Sequence, residues 1–396
     1  MSVTPLPICG LGAVAAAGIG PGAVFARVSS GEDTLRALDR FDSGLREPPL
    51  CAQVHDDLDA LNRTQTPNRT LSLALPAVRQ AMAPLPVELR QNLGVVLATT
   101  VAGIARSELF YRSVLQDPLS VTHAAAELSH HEPTAIAAAI ARDCNARGMH
   151  SVSTACSTGL HALWLAAALV NSETYSACLA VGTDALSLLT IRGFSALTLL
   201  DPHGCRPFDA RRAGISLGEG AGAVLIANPA LCRDAAMPPV AWIQGWGASA
   251  DAYHMSAPHP EGEGAARSMR GALAMSGIPA ERIDLIVTHG TATPDNDLAE
   301  ARAIRTVFST PPPLCSMKRT LGHTLAASGT LETVCAIMAM QEGTIPATGG
   351  FALPDNAIGL SPSPRTAAPL RYVLKNAFGF GGNNASVVMS ATRDAL

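Results

Sequence analysis

Aromatic residues are scarce in this 396-residue chain, at 4%, and charged residues make up only 15% against 48% hydrophobic. The first shortage excludes a core built around large rings. Ala, Val, Leu and Ile must fill the interior, which suits buried parallel strands and closely packed helices. The second, set against the apolar excess, excludes a disordered composition. No block of five or six like charges occurs and the net charge is −4, so the electrostatic footprint of a nucleic-acid binder is missing. Nine cysteines run from Cys9 to Cys335 with no C-x-x-C pair. That odd count and irregular spacing argue against a disulfide framework or a structural zinc site and fit a reducing cytoplasm. The apolar start has no positive charge before Arg27 and is interrupted by Gly10, Gly12, Gly18 and Gly20. It reads as strand, glycine turn and helix rather than as a signal peptide. No apolar run reaches the roughly 18 residues that a membrane span needs.

What is present is α/β alternation. Short β-branched runs at Leu93 to Thr99, Ser151 to Thr154, Cys178 to Val181, Ala221 to Ile226, Val240 to Gly245, Leu285 to Thr288, Leu314 to Ser316, Tyr372 to Asn376 and Ala385 to Ser390 are separated by longer segments. Several of those are Ala-rich and helical in pattern, as from Thr134 to Arg147 and Gly159 to Val170. A strand running into a small-residue turn and a helix occurs twice, as S-V-S-T-A-C-S-T-G-L-H-A-L from Ser151 and L-C-S-M-K-R-T-L-G-H-T-L-A-A-S-G from Leu314. This weak repeat predicts a duplicated α/β protein with its site between two halves, 1–228 and 229–396. The boundary is set by the proline-rich stretch from Asn228 to Pro239.

Four segments carry candidate chemistry. Cys156 stands between a strand-like run and a helix start, where unpaired N–H groups favour a thiolate, and Ala155, Ser157 and Gly159 leave room for a substrate. A buried structural cysteine is the plain alternative. His289 ends a strand in T-H-G-T-A-T-P-D-N-D; the alternatives are a satisfied loop histidine, or metal ligation with Asp295 and Asp297, for which no second histidine is correctly spaced. Lys318 lies five residues before His323 and could balance a carboxylate such as Glu332, or be a solvated surface lysine. The run from Asn376 to Ser386, N-A-F-G-F-G-G-N-N-A-S, suggests exposed backbone N–H groups under an aromatic lid, or an ordinary hairpin.

Taken together, and with I-C-G-L-G-A-V near the start, L-G-V-V-L-A-T-T from Leu93, R-P-F-D-A-R-R-A-G-I-S-L-G-E-G-A-G from Arg206 and S-A-D-A-Y-H-M-S-A-P from Ser249, these segments resemble the elongating β-ketoacyl-acyl carrier protein synthases. The resemblance runs nearly end to end. It implies a duplicated thiolase-like fold, layered α-β-α-β-α, with two mixed sheets around buried helices. It implies an acyltransferase that joins malonyl-carrier protein to an acyl group held as a thioester on Cys156, with loss of carbon dioxide, extending a fatty acyl, polyene or polyketide chain. By the same resemblance His289 and His323 serve decarboxylation and condensation, Lys318 supports them, and Glu332 lies behind Lys318. Thr291 and Thr293 hold the pantetheine arm with Phe378, Gly379 and Gly381 beside it. Phe380 is the gate, and the backbone N–H groups of Cys156 and Phe380 form the oxyanion hole. No cofactor or metal is implied, since phosphopantetheine arrives on the acyl carrier protein. The implied partners are that carrier and a second subunit, identical or a related ketosynthase-like chain. Asn383 departs from the threonine usual in the family, and the stretch from Gly103 to Cys156 is unusual in composition.

Two rivals are weighed against this. G-L-G-A-V-A from Gly10, with Glu32 and Asp33 about twenty residues on, fits a dinucleotide fingerprint and hence a nicotinamide oxidoreductase. The chain could also be the ketosynthase subunit of a specialised heterodimer with an inactive chain-length partner. Arg206, Arg211 and Arg212 form a basic cluster for an acidic carrier, Arg211 being the one outside the family signature. His161 reads as a packed helix residue.

Overall fold

Gly10 and Gly12 do not make a turn. Both lie inside one continuous strand, Leu6–Ala15 (β1), and a Cβ on either would meet the backbone oxygen of Ala81 or Ala77 at under 2 Å. Those alanines belong to the helix Arg69–Met82 (α1). The glycines therefore allow a helix to press on a strand, and no phosphate turn exists there. Asp33 is engaged elsewhere, accepting from Arg319 at 2.5 Å. The dinucleotide reading is thereby corrected. The computed structural model describes residues 4–62 and 68–392; the outermost ends of the two expected halves, 1–3 and 393–396, lie outside them.

Ten strands carry the architecture. After β1 come Leu93–Ala98 (β2), Gly148–Val152 (β3), Ala177–Asp184 (β4) and Gly220–Ala227 (β5). Then follow Ala241–Ala250 (β6), Leu285–Val287 (β7), Leu314–Cys315 (β8), Tyr372–Gly379 (β9) and Asn383–Ser390 (β10). The first five lie in the order β3-β2-β4-β5-β1 and the second five in the order β8-β7-β9-β10-β6. In both sets the first three strands are parallel and the last two antiparallel to their neighbours. The weak sequence repeat is thus a repeat of topology, since Ser151 and Leu314 belong to β3 and β8, the third strand of each set along the chain. The two expected sheets are present but not separate. Leu6 to Ile8 pair with Ala241 to Ile243, antiparallel, and join the two sets edge to edge.

Helices sandwich these strands. Thr158–Asn171 (α3) and Ala327–Glu342 (α7) pack against each other and form the buried middle layer. On the outer faces α1 and Pro133–Cys144 (α2) cover the first set, while Glu263–Ser276 (α5) and Pro294–Val307 (α6) cover the second; Leu188–Ala196 (α4) lies near the site. This gives the expected five layers. Small residues fill the middle, Ala162, Ala166, Ala326, Ala336 and Ala339 among them, which is how a chain poor in rings packs helices closely.

One region faces outward with apolar side chains. Leu109, Tyr111, Leu115, Leu119 and Val121 are exposed, Leu115 and Leu119 by 84% and 87%. They fall in the compositionally unusual stretch after Gly103. In the sheet, β3 is an edge strand with Met149 exposed. No described helix is long and apolar enough to cross a membrane.

Candidate functional site

The parallel strands of the two sets end at one cavity of about 150 Å³, lined by Cys156, His289, His323, Thr291, Thr293, Phe378, Gly379 and Phe380. Placing a site at the carboxyl ends of parallel strands follows the general rule for α/β sheets. Of the other residues expected from the motifs, Lys318 and Glu332 form a buried pair outside the lining, and Gly381 makes the turn beyond it with φ 77°.

Cys156 follows β3 through Ala155, whose φ of 53° forces a sharp elbow before α3. The thiol is buried, and burial pushes it up to about 11, against the pull of Lys318 and of the N–H groups of Phe380 and of Cys156 itself. This corrects the sequence expectation: the helix start alone does not yield a standing thiolate, because desolvation outweighs it. The two N–H groups expected from the resemblance to form an oxyanion hole both face the sulfur. Gly379 is what lets them converge, since a Cβ there would meet the Thr154 oxygen at 2.8 Å and the Cys156 nitrogen at 3.2 Å.

His289 and His323 face each other edge to face, with ring centres 5.5 Å apart, and Phe378 packs on His289 at 5.8 Å. Burial, together with the Lys318 and Lys375 ammoniums, holds both imidazoles well below the usual histidine range, so both are neutral. Their surroundings differ. His323 Nδ1 accepts from the Leu325 N–H at 3.2 Å with Ser328 Oγ at 3.3 Å, which puts the ring proton on Nε2 and makes that atom a donor. His289 Nδ1 is buried with no hydrogen-bond partner among the described residues, the mark of a group awaiting a ligand. The main chain of His289 is fixed instead by Glu300, which accepts from the N–H groups of His289 and Gly290, both at 2.8 Å. Burial raises the Glu300 carboxyl to about 7 despite these donors.

Lys318 is no surface lysine. It is buried and paired with Glu332 as expected, and Glu332 takes a second cation, Lys375, at 2.7 Å. Burial alone would raise the Glu332 carboxyl; Lys318 and Lys375 outweigh it and hold it below its ordinary range. Lys375 and Glu300 are the residues sequence reasoning missed. The signal for Lys375 was a single charge inside the apolar run Y-V-L-K-N-A-F of a central strand.

Thr291 and Thr293 are hydrogen-bonded to each other at 3.1 Å, and Thr293 also caps α6 at Asn296. Phe380 lies over Phe194 of α4 at 5.8 Å between ring centres, at the tip of the β9–β10 hairpin. The loop is thus the tip of a hairpin. Asn383 donates to the Phe380 carbonyl at 3.3 Å and so steadies that tip. The metal alternative fails because Asp297 accepts from Phe208, Ala292 and Asn296 nitrogens within the chain. His161 binds Thr154 and the Ser157 carbonyl as a packed helix residue. In the basic cluster Arg211, expected as the exposed contact, has a side chain 53% exposed and chelates Asp209 at 2.9 and 3.1 Å, while Arg206 and Arg212 pair with Asp201 and Asp355.

Comparison with known proteins gives two family models, "Beta-ketoacyl synthase, N-terminal domain" over residues 4–230 and "Beta-ketoacyl synthase, C-terminal domain" over residues 240–352. A 3-oxoacyl-[acyl-carrier-protein] synthase 2 from Coxiella burnetii is 32% identical, covering 98% of both chains. A putative polyketide beta-ketoacyl synthase 1 from Streptomyces cyaneus is 31% identical, covering 97% of both. Among solved structures, the ishigamide ketosynthase/chain length factor superposes with a TM-score of 0.91 at 27% identity, over 98% of this chain and 99% of that one.

Proposed function

The chain belongs to the β-ketoacyl synthase family, and from that premise we propose that Cys156, His289 and His323 carry out a decarboxylative condensation on thioesters delivered by an acyl carrier protein. The observation that supports this most is the meeting of one thiol, two neutral imidazoles and two backbone N–H groups in a single cavity. In the first half-reaction the Cys156 sulfur attacks an acyl thioester and the carrier's pantetheine thiol leaves. The malonyl thioester then loses carbon dioxide, and the electron pair of the broken bond moves to the thioester as an enolate. His323 Nε2–H and His289 stabilise its oxygen. The enolate carbon attacks the acyl group on Cys156, the N–H groups of Cys156 and Phe380 hold the tetrahedral oxyanion, and collapse expels the Cys156 thiolate. Thr291 and Thr293 hold the pantetheine arm, Phe380 gates it, and Lys318 with Glu332 fixes the charge beneath. No free cofactor enters these steps, the work falls between halves 1–228 and 229–396, and the chain acts in the cytoplasm.

A second subunit of the same fold is part of this reading. The exposed edge strand β3 and the exposed apolar residues Leu109, Tyr111, Leu115 and Leu119 are features of the kind that obligate partners cover. The polyketide relative and the structure that includes a chain length factor favour a specialised pathway, in which that subunit is a ketosynthase-like partner. Molar mass of the purified chain in solution, alone and with a co-expressed partner, separates homodimer from heterodimer.

Intact mass spectrometry after exposure to acyl carrier protein thioesters of different acyl length tests the whole reading. One acyl mass should appear on the native chain and none on Cys156→Ala. Equal labelling of both would remove Cys156 from the reaction.

A further inference from the structure

The chain contains 26 arginines and two lysines, Lys318 and Lys375. Both lysines are about fully buried and both reach one carboxylate, Lys318 on Glu332 Oε1 and Lys375 on Oε2. Every other basic side chain is a guanidinium. Lysine thus stands only where two cations must share one buried anion, a place that suits a compact ammonium better than a wide planar fork that keeps its proton.

Lys375 does more than neutralise. Its Nζ donates to the carbonyl of Thr288, the residue before His289, at 3.2 Å, and to the carbonyl of Asn376. Asn376 Nδ2 in turn donates to Glu300 Oε1 at 3.2 Å, the oxygen that accepts the His289 N–H. The His289 backbone is therefore gripped on one side through Thr288 and on the other through Asn376 and Glu300. Among the described residues none hydrogen-bonds Nδ1 of its ring, so the main chain and the packing of Phe378 and His323 set where the ring stands.

We propose that Lys375 is a positioning residue for His289 in the condensation half of the reaction, acting through the Thr288 carbonyl and the Asn376 and Glu300 relay. The inference rests on the condensation reading above. It includes a charge effect, because Lys375 is one of two ammoniums facing both imidazoles. The charged and titratable groups around this centre are Lys318, Lys375, Glu332, Glu300, Cys315, Asp184 and Cys156. Removing Lys375 leaves Glu332 paired one to one with Lys318, so the interior stays charge-balanced. His289 and His323 then take up protons at higher pH than in the native chain.

The test uses the full chain with Lys375→Met and Lys375→Gln. Gln keeps a donor for Thr288 without the charge. Acylation of Cys156 by a small pantetheine thioester and condensation with malonyl-carrier protein are followed separately across pH 5 to 9. The expected result is a loss of condensation of about tenfold or more for Met and less for Gln, with acylation nearly native. In both variants the acid limb of condensation should move up by about one pH unit. Unchanged condensation in both variants overturns the proposal. So does an equal loss of acylation and condensation with the acid limb unmoved, since that marks a lysine needed only for folding. Failure of the native chain to condense overturns the functional reading and the role of Lys375 with it.

Discussion

Gly159 and Gly329 touch where α3 crosses α7: a Cβ built on either glycine would lie 2.8 Å from the other's Cα. Neither has a positive φ, so each is glycine for space alone. Gly159 is three residues after Cys156 and Gly329 six after His323, so this crossing sets the distance between nucleophile and imidazole.

Gly329→Ala should therefore damage both fold and site. The added methyl meets Leu160 N at 2.5 Å, a backbone atom that cannot swing aside. A loss of about 3 kcal/mol is expected from overpacking, read as a lower denaturation midpoint together with reduced condensation. An unchanged midpoint would mean the helices separate freely.

The buried thiol gives a pH signature. With Cys156 at about 11, its thiolate fraction grows about tenfold per pH unit from neutrality upward. Alkylation of Cys156 by iodoacetamide, followed on its own peptide by mass spectrometry, should rise steeply from pH 7 to 9.5. A rate flat above pH 7 would show a standing thiolate.

The two histidines should fail differently. His323→Ala removes a donor whose tautomer Leu325 and Ser328 fix, and His289→Ala removes a ring that Phe378 and His323 pack but whose Nδ1 has no hydrogen-bond partner among the described residues. Both should lose condensation by about a hundredfold or more while acylation falls less. Ser328→Ala should cost condensation about threefold through a looser His323 ring alone, about what one weak hydrogen bond contributes. Separate assays of the half-reactions check this, and full condensation in either histidine variant removes that residue from the site.

Glu332→Gln leaves two buried ammoniums without an anion. A loss of about 3–5 kcal/mol is expected, as for a broken buried pair. Glu332 is the ordinary carboxylate case: its folded value is depressed, so its contribution is fully present above the unfolded carboxyl range and fades as pH falls through the still lower folded value. Thermal unfolding of native and variant chains should thus differ most near neutrality and converge in strong acid. A constant difference throughout would contradict it.

Gly379→Ala should close the oxyanion hole while sparing the fold. The φ of Gly379 is −115°, so alanine suits the backbone conformation, and the one place that must shift is the Cys156 elbow, whose Thr154 oxygen a Cβ would meet at 2.8 Å. Both half-reactions should fall by about a hundredfold or more, since both pass through an oxyanion. Native circular dichroism with lost acylation is the expected pair of readings; retained acylation would place the hole elsewhere.

Much of this was legible in the residues themselves. Cys156, His289, His323 and Lys318 each sit at a strand end or helix start that local pattern reveals, and the repeat around Ser151 and Leu314 marks two topologically equal sets of strands. Local pattern misled where a residue's role is a contact at long range. Gly10 and Gly12 look like a nucleotide turn because spacing cannot tell a turn from a strand lying under a helix. Tertiary structure alone decided the state of the groups. It raises the Cys156 thiol by burying it, makes His323 a donor at Nε2 through Leu325, and brings Lys375, 57 residues from Lys318 in sequence, onto the far oxygen of Glu332. Pattern along a chain records periodicity and turn chemistry, which are local. Desolvation and charge pairing depend on which distant elements close around a side chain, and that is fixed only when the two sets of strands meet.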